Sequence, residues 1–159
     1  MDQAHTYCDP QPHEKNIAPS GVASQSSLHN NKGPELAIDG NANSHYERGS
    51  CSHTGLDAVT WWRLDLLRNW KIRSVVLVNR GDCCPERLLG ASVRIGNSPY
   101  NTNPVCCTIT ESDIQAGSII RLCCHGMEGR YVSVVLPQQK GWLSLCEVEV
   151  YPDLPYQSQ

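Results

Sequence analysis

The chain has 159 residues, a formal net charge of -3 and nine cysteines, which is enough for one packed core and too little for two ordinary domains with a linker. Its thirteen Lys and Arg residues are scattered rather than striped, which excludes the electrostatic footprint that a nucleic acid backbone demands. The longest apolar run, Ser74-Val75-Val76-Leu77-Val78, is far too short to cross a membrane, and no hydrophobic region follows Met1.

Residues 1–15 are polar, contain Pro10 and Pro12 and show no periodicity, so a loosely ordered N-terminal extension carrying Cys8 is expected there. One domain is expected over 16–152 and a short tail over 153–159. Runs rich in Val, Ile, Tyr and Trp follow at 61–66, 72–79, 91–95, 118–123, 131–136 and 145–151, and each reads as a strand. Clusters such as Asn30-Asn31-Lys32-Gly33-Pro34 and Gly96-Asn97-Ser98-Pro99 punctuate them, and no long segment carries a 3.6-residue apolar period. Partial alternation in Tyr131-Val132-Ser133-Val134-Val135-Leu136 sets one face against a core and one toward water. The pattern predicts an all-β antiparallel sandwich with very little helix.

Eight of the nine cysteines lie between Cys51 and Cys146, and none forms a Cys-x-x-Cys knuckle. Disulfides in an oxidising compartment are therefore expected, and with them secretion and a signal peptide already removed. Cys83 and Cys84 are neighbours in sequence. Their Cα atoms must lie about 3.8 Å apart, below the usual disulfide range of roughly 4.4–6.8 Å, so a bond between them is strained in the way functional sites often are. Separate bonds to two distant partners are the other possibility.

Read in order, Asn16-Ile17-Ala18, Ala37-Ile38-Asp39-Gly40-Asn41, Trp61-Trp62-Arg63-Leu64-Asp65-Leu66, Gly129-Arg130-Tyr131-Val132 and Leu145-Cys146-Glu147-Val148-Glu149-Val150 resemble the F-type lectins, the eel fucolectin family. Most of these segments belong to the wider discoidin-like jelly-roll group and specify a fold only. The sharper signal is the family's sugar-binding pattern: a His, 26 residues, Arg-x-Asp, four residues, then Arg or Lys. Here His53, Arg80-Gly81-Asp82 and Arg87 meet it in full.

The resemblance implies that His53, Arg80 and Arg87 converge as fixed donors on the hydroxyls of a fucose ring. A planar guanidinium suits that task better than Lys would. Asp82 is then expected to orient the arginines. A Cys83–Cys84 disulfide would form a polarizable ridge for the fucose methyl group, with Tyr46 and Leu28 completing its pocket. The resemblance also implies a structural calcium ion, with side-chain oxygens from Asp39, Ser50 and Glu147 and carbonyls from Leu36, Asn41 and Cys146. Beside it would lie a Cys51–Cys146 disulfide. The family has one further bridge where this chain has Cys106, Cys107, Cys123 and Cys124. Adjacent strand residues point to opposite faces, so two parallel bridges are not required, and Cys8 could pair with a leftover member, cross to another chain or stay reduced.

The partners implied are fucosylated glycans met by a homo-oligomer, a trimer by resemblance, in innate recognition. A discoidin-like module for phospholipid or protein is the competing reading. Catalysis is not expected: Asp82 and Glu86 are the only carboxylates near the motif, and their neighbours keep them ionised and engaged.

Overall fold

The computed structural model describes residues 8, 11–46, 49–138 and 141–153. Its strands are β1 (Val22–Gln25), β2 (Ser52–His53), β3 (Trp61–Val78), β4 (Ser92–Gly96), β5 (Val105–Thr108), β6 (Ile119–Val135), β7 (Ser144–Leu145) and β8 (Glu147–Pro152). The helical segments among the described residues are 3-10 turns, such as Pro34–Ile38 and Pro85–Leu88. The chain is an antiparallel β-sandwich, as its sequence pattern predicts.

Its frame is a ribbon made by β3 and β6, paired from Trp61↔Val135 to Val78↔Ile119. Four of the runs read as separate strands are the halves of these two. The run between them, Leu67-Arg68-Asn69, looks like a turn in sequence, but the pairing resumes at Trp70↔Gly129 after an irregularity. Leu67 takes a left-handed φ of 72° and donates its N–H to Asp65 Oδ1 at 2.8 Å, which bends the ribbon without ending it. Arg130 grips Asp65 across the bend through two hydrogen bonds of 2.7 and 2.9 Å. The outer edge of β3 carries β1 along its first half and β8 along its second, while β4 and then β5 extend from β6. The short β2 and β7 form a separate pair.

Alternation in β3 buries Trp62, Leu64 and Leu66 and leaves Trp61, Arg63 and Asp65 outside. These meet Ile72, Val75, Leu77, Leu122, Val132, Val134, Val148 and Val150 in one apolar core. The second half of β3 is buried on both faces, since Val78 joins Cys51, Cys146 and Tyr46 in a smaller cluster. Three strands, β1, β2 and β5, lie outside the runs expected from the sequence. β1 is Val-Ala-Ser-Gln with no buried residue, and β2 is only two residues long.

The described part of 1–15 is tied to β6 at two points, and Asn16 follows with bonds of its own. Cys8 is bonded to Cys123, Glu14 faces Arg121 at 3.7 Å, and Asn16 Oδ1 accepts from the N–H groups of Ala18 and Val150. The tail beyond Asp153 lies outside the described residues.

The doubled cysteines divide by strand face. Cys124 points inward and is bonded to Cys106, while Cys123 points the other way and takes Cys8. Cys107 is therefore not bridged to the 123/124 pair. It is a buried thiol pushed up to about 11 by burial, with the Asp113 charge adding to the shift. The Cys51–Cys146 and Cys83–Cys84 bonds are both present.

Candidate functional site

His53 lies on β2, 4 % exposed. Two flanking backbone bonds hold it there: its N–H donates to Lys32 O at 3.0 Å, and its carbonyl accepts from His29 N–H at 3.1 Å. Gln25 reinforces the turn by donating to the carbonyls of Ser27, Lys32 and His53. The ring Nδ1 sits 2.6 Å from Thr54 O. A carbonyl can only accept, so Nδ1 carries the proton and Nε2 is the ring's acceptor. Burial drives the imidazole pKa down to about 4, with the charges of His29, Arg80 and Arg87 pushing the same way against the Thr54 bond. The expectation of three donors is corrected: the site has two guanidinium donors and one imidazole acceptor.

The arginines stand on the loop after β3. Asn79, 2 % exposed, governs that loop and carried no signal in the sequence pattern. Its amide donates to Pro85 O and Gln115 O at 3.2 Å each, and its Oδ1 accepts from Arg80 N–H at 3.0 Å. Gly81 donates to Ser44 O at 2.6 Å. A Cβ there would press on the Ser44 side chain and stand 3.3 Å from Gly117 Cα, so this close approach of the loops favours glycine. Cys84 turns the chain at φ 62°, and the following 3-10 turn buries Leu88 and presents Arg87.

The side chains converge on an open hollow of about 240 Å3 lined by His29, Tyr46, His53, Arg80, Cys83, Arg87 and Trp142. Arg80 Nε donates to Asp82 Oδ1 at 2.8 Å, and its guanidinium lies over the Tyr46 ring at 4.3 Å. Burial raises the Asp82 carboxyl, but bonds from Arg80 and the Tyr46 backbone outweigh it and hold the group below the ordinary carboxylate range. Arg87 lies over Trp142 at 4.7 Å. Asp82 thus orients Arg80, and aromatic faces hold both arginines.

Leu28 does not line the hollow; it is 55 % exposed, and the wall position is taken by His29, whose ring lies 4.5 Å from that of His53. Cys83 lines the hollow and Cys84 forms the corner behind it. His29 and Trp142 are wall residues that sequence reasoning missed. The turn cluster 30–34 beside His29 was a usable hint; Trp142 had none.

A second constellation lies beneath the small Cys51–Cys146 cluster. Glu147 is 1 % exposed, Oε2 accepts from Gly40 N–H at 3.0 Å, and Oε1 has no hydrogen-bond partner. Burial pushes its carboxyl up to about 8, and the Asp39 carboxylate beside it adds to the shift. Asp39 Oδ1 accepts from Asn41 N–H at 2.9 Å. Buried Ser50 donates to the Asn43 and His45 carbonyls, the latter at 3.2 Å. Two neighbouring carboxylates, one with an orphaned buried oxygen, are donors of the hard type that a cation such as calcium takes. The corner holds no His, Lys or Arg among these contacts.

A family model described as a NedA-like, galactose-binding domain matches residues 36–134. Fucolectin-6 of Anguilla japonica is 44 % identical over 147 residues, covering 89 % of this chain and 78 % of its own. The structure of a serum fucolectin from the striped bass, Morone saxatilis, superposes with a TM-score of 0.84 at 42 % identity over 92 % of this chain, which spans about half, 52 %, of the bass lectin. A fucose binding module of Streptococcus pneumoniae superposes with a TM-score of 0.80 at 31 % identity, covering 91 % of this chain and 100 % of its own.

Proposed function

The chain belongs to the fucolectin family of F-type lectins, and from that premise we propose that it binds terminal L-fucose on glycans at the hollow of His53, Arg80 and Arg87. It is a lectin and not an enzyme. The observation that carries the site is the convergence of two fixed guanidiniums and one neutral imidazole acceptor on a single open hollow. A sugar hydroxyl is donor and acceptor at once. One hydroxyl can therefore donate to His53 Nε2 while accepting from an arginine, which a triple-donor site could not offer. Cys83 supplies a polarizable wall for the methyl group that separates fucose from galactose. Calorimetric titration with L-fucose, with galactose as control, tests the reading: saturable heat with fucose and little with galactose is expected, and no heat at any attainable concentration would sink it.

Calcium is the cation proposed for the Asp39, Ser50 and Glu147 corner, with carbonyls of Leu36, Asn41 and Cys146 completing the shell. Bound there, it would neutralise the paired carboxylates and tie the loop before β2 to β8. Secretion is the localisation proposed, supported by four disulfides in one small domain, and recognition of fucosylated surfaces in innate defence is the setting proposed. A single open site binds weakly, so a homo-oligomer, a trimer by family likeness, would supply the avidity.

A further inference from the structure

A second cavity lies at the bend of the β3–β6 ribbon, where residues 15–20 meet the end of β8. Trp70 resumes the pairing beyond the bend, and β3 runs on from it to Val78 before the arginine loop begins, roughly 25 Å at about 3.3 Å per residue. The cavity measures about 250 Å3; Ile17, Leu66, Trp70 and Pro152 form its apolar walls, and Lys15 and Ser20 its polar positions. Backbone bonds pin these walls. Ile17 N–H donates to Val150 O at 2.9 Å, and Asp153 N–H donates to Lys71 O at 2.7 Å, on either side of Pro152. Gly21 N–H donates to Ala18 O at 3.0 Å, and a Cβ on Gly21 would stand 2.6 Å from Asp65 O. The turn at 18–20 therefore lies tight against β3, and the cavity is preformed.

The charge at this cavity is of one sign. Lys15 lines it, and the Arg68 guanidinium lies over the Trp70 ring at 3.8 Å. Among the described residues no carboxylate forms an ion pair with either cation. The acids close by in the chain are engaged elsewhere: Asp65 holds Arg130, Glu14 faces Arg121, and Asp153 Oδ2 lies against Gly126. Trp70 Nε1 is buried and has no hydrogen-bond partner, so a lining side chain also carries an unfilled donor.

We propose that this cavity binds a small aromatic carboxylate, its ring among Ile17, Leu66, Trp70 and Pro152 and its carboxylate toward Lys15 and Arg68. Apolar walls alone would take any hydrophobic body, but two unanswered cations beside them select an anion. A flat ring suits a wall that contains an indole better than a flexible chain does, since it loses less freedom on binding. The site stands apart from the fucose hollow and does not depend on how that hollow is read.

Calorimetry on the whole chain tests it with indole-3-propionate as the probe, and with tryptamine, 3-methylindole and propionate as the charge-reversed, uncharged and ring-free controls. Indole-3-propionate should bind with a dissociation constant on the order of 0.1 to 1 mM, about tenfold tighter than any control. Lys15→Glu/Arg68→Glu, at two exposed positions, should weaken it about tenfold while leaving the L-fucose titration and the thermal midpoint unchanged. Ser20→Trp, which places a large side chain in the cavity, should abolish it. No saturation in the millimolar range overturns the site. Equal affinity for tryptamine or 3-methylindole overturns the carboxylate as the selected group, and binding that survives both variants overturns the cavity as its location.

Discussion

The hollow and the carboxylate corner are neighbours that handle charge in opposite ways. In the hollow each strong cation has an answer within the chain: Asp82 and the Tyr46 ring for Arg80, the Trp142 ring for Arg87. His53 meets their field by staying neutral. At the corner, Glu147 and Asp39 approach with no cationic side chain of the described residues among their contacts, and one buried oxygen is left without a hydrogen-bond partner. A region whose electrostatics close internally is ready for a neutral ligand. One whose like charges face each other unanswered carries the cost of that arrangement until a proton or a counter-charge offsets it.

Removing an arginine should break the comparison most sharply. Arg80→Ala or Arg87→Ala should cost about 3 kcal/mol of fucose binding, roughly a hundredfold, with the thermal midpoint almost unchanged because neither side chain is in the core; calorimetry and a melting curve read both quantities. Chelation should do the reverse. With calcium withdrawn, the melting temperature should fall by roughly 5 to 15 °C, and Glu147→Gln should reduce that dependence on calcium. An unaltered melt in chelator would remove the ion from the corner.

Asn79→Ala strikes the support of the hollow. It leaves two carbonyls and the Arg80 N–H without partners, so a loss of about 2 kcal/mol in stability should accompany a roughly tenfold weaker fucose affinity. Both falling together, with the disulfides intact, would mark Asn79 as a positioning residue. The smallest effect is pH. His53 is neutral in the fold down to about pH 4, whereas an unfolded histidine takes its proton near 6.5. The unfolded chain thus binds more protons between those values, so the His53 contribution to stability declines as pH falls through that window. Fucose binding should stay flat from pH 8 to about 5 and drop near 4, where Nε2 gains a proton and ceases to accept.

Much of this is legible in the amino-acid sequence alone. Motif spacing brought His53, Arg80, Asp82 and Arg87 together because it counts residues between fixed strand ends, and those ends do meet. The alternation at 61–66 and 131–136 marked the core face for the same reason: period-two burial survives in β3 and β6. What failed was anything settled by three-dimensional closure. The bend at Leu67 reads as a gap between strands because polar Arg68 and Asn69 interrupt the apolar run, yet the pairing with β6 resumes beyond it. His29 and Trp142 reach the hollow only through backbone pairing of the 29–32 turn with β2 and through the fold of the 141–143 loop. The donor role assigned to His53 reversed because a single contact to the next residue's carbonyl fixes the tautomer, and residue type cannot reveal that.

The bond between Cys8 and Cys123 also governs how copies of this chain can associate. Eight of the nine cysteines are committed in pairs within one chain, and the ninth, Cys107, is 3 % exposed. No sulfur is presented at the surface to join neighbours covalently. Copies of this chain should therefore run singly on a non-reducing denaturing gel, and any assembly among them would rest on non-covalent contacts, its extent rising with concentration.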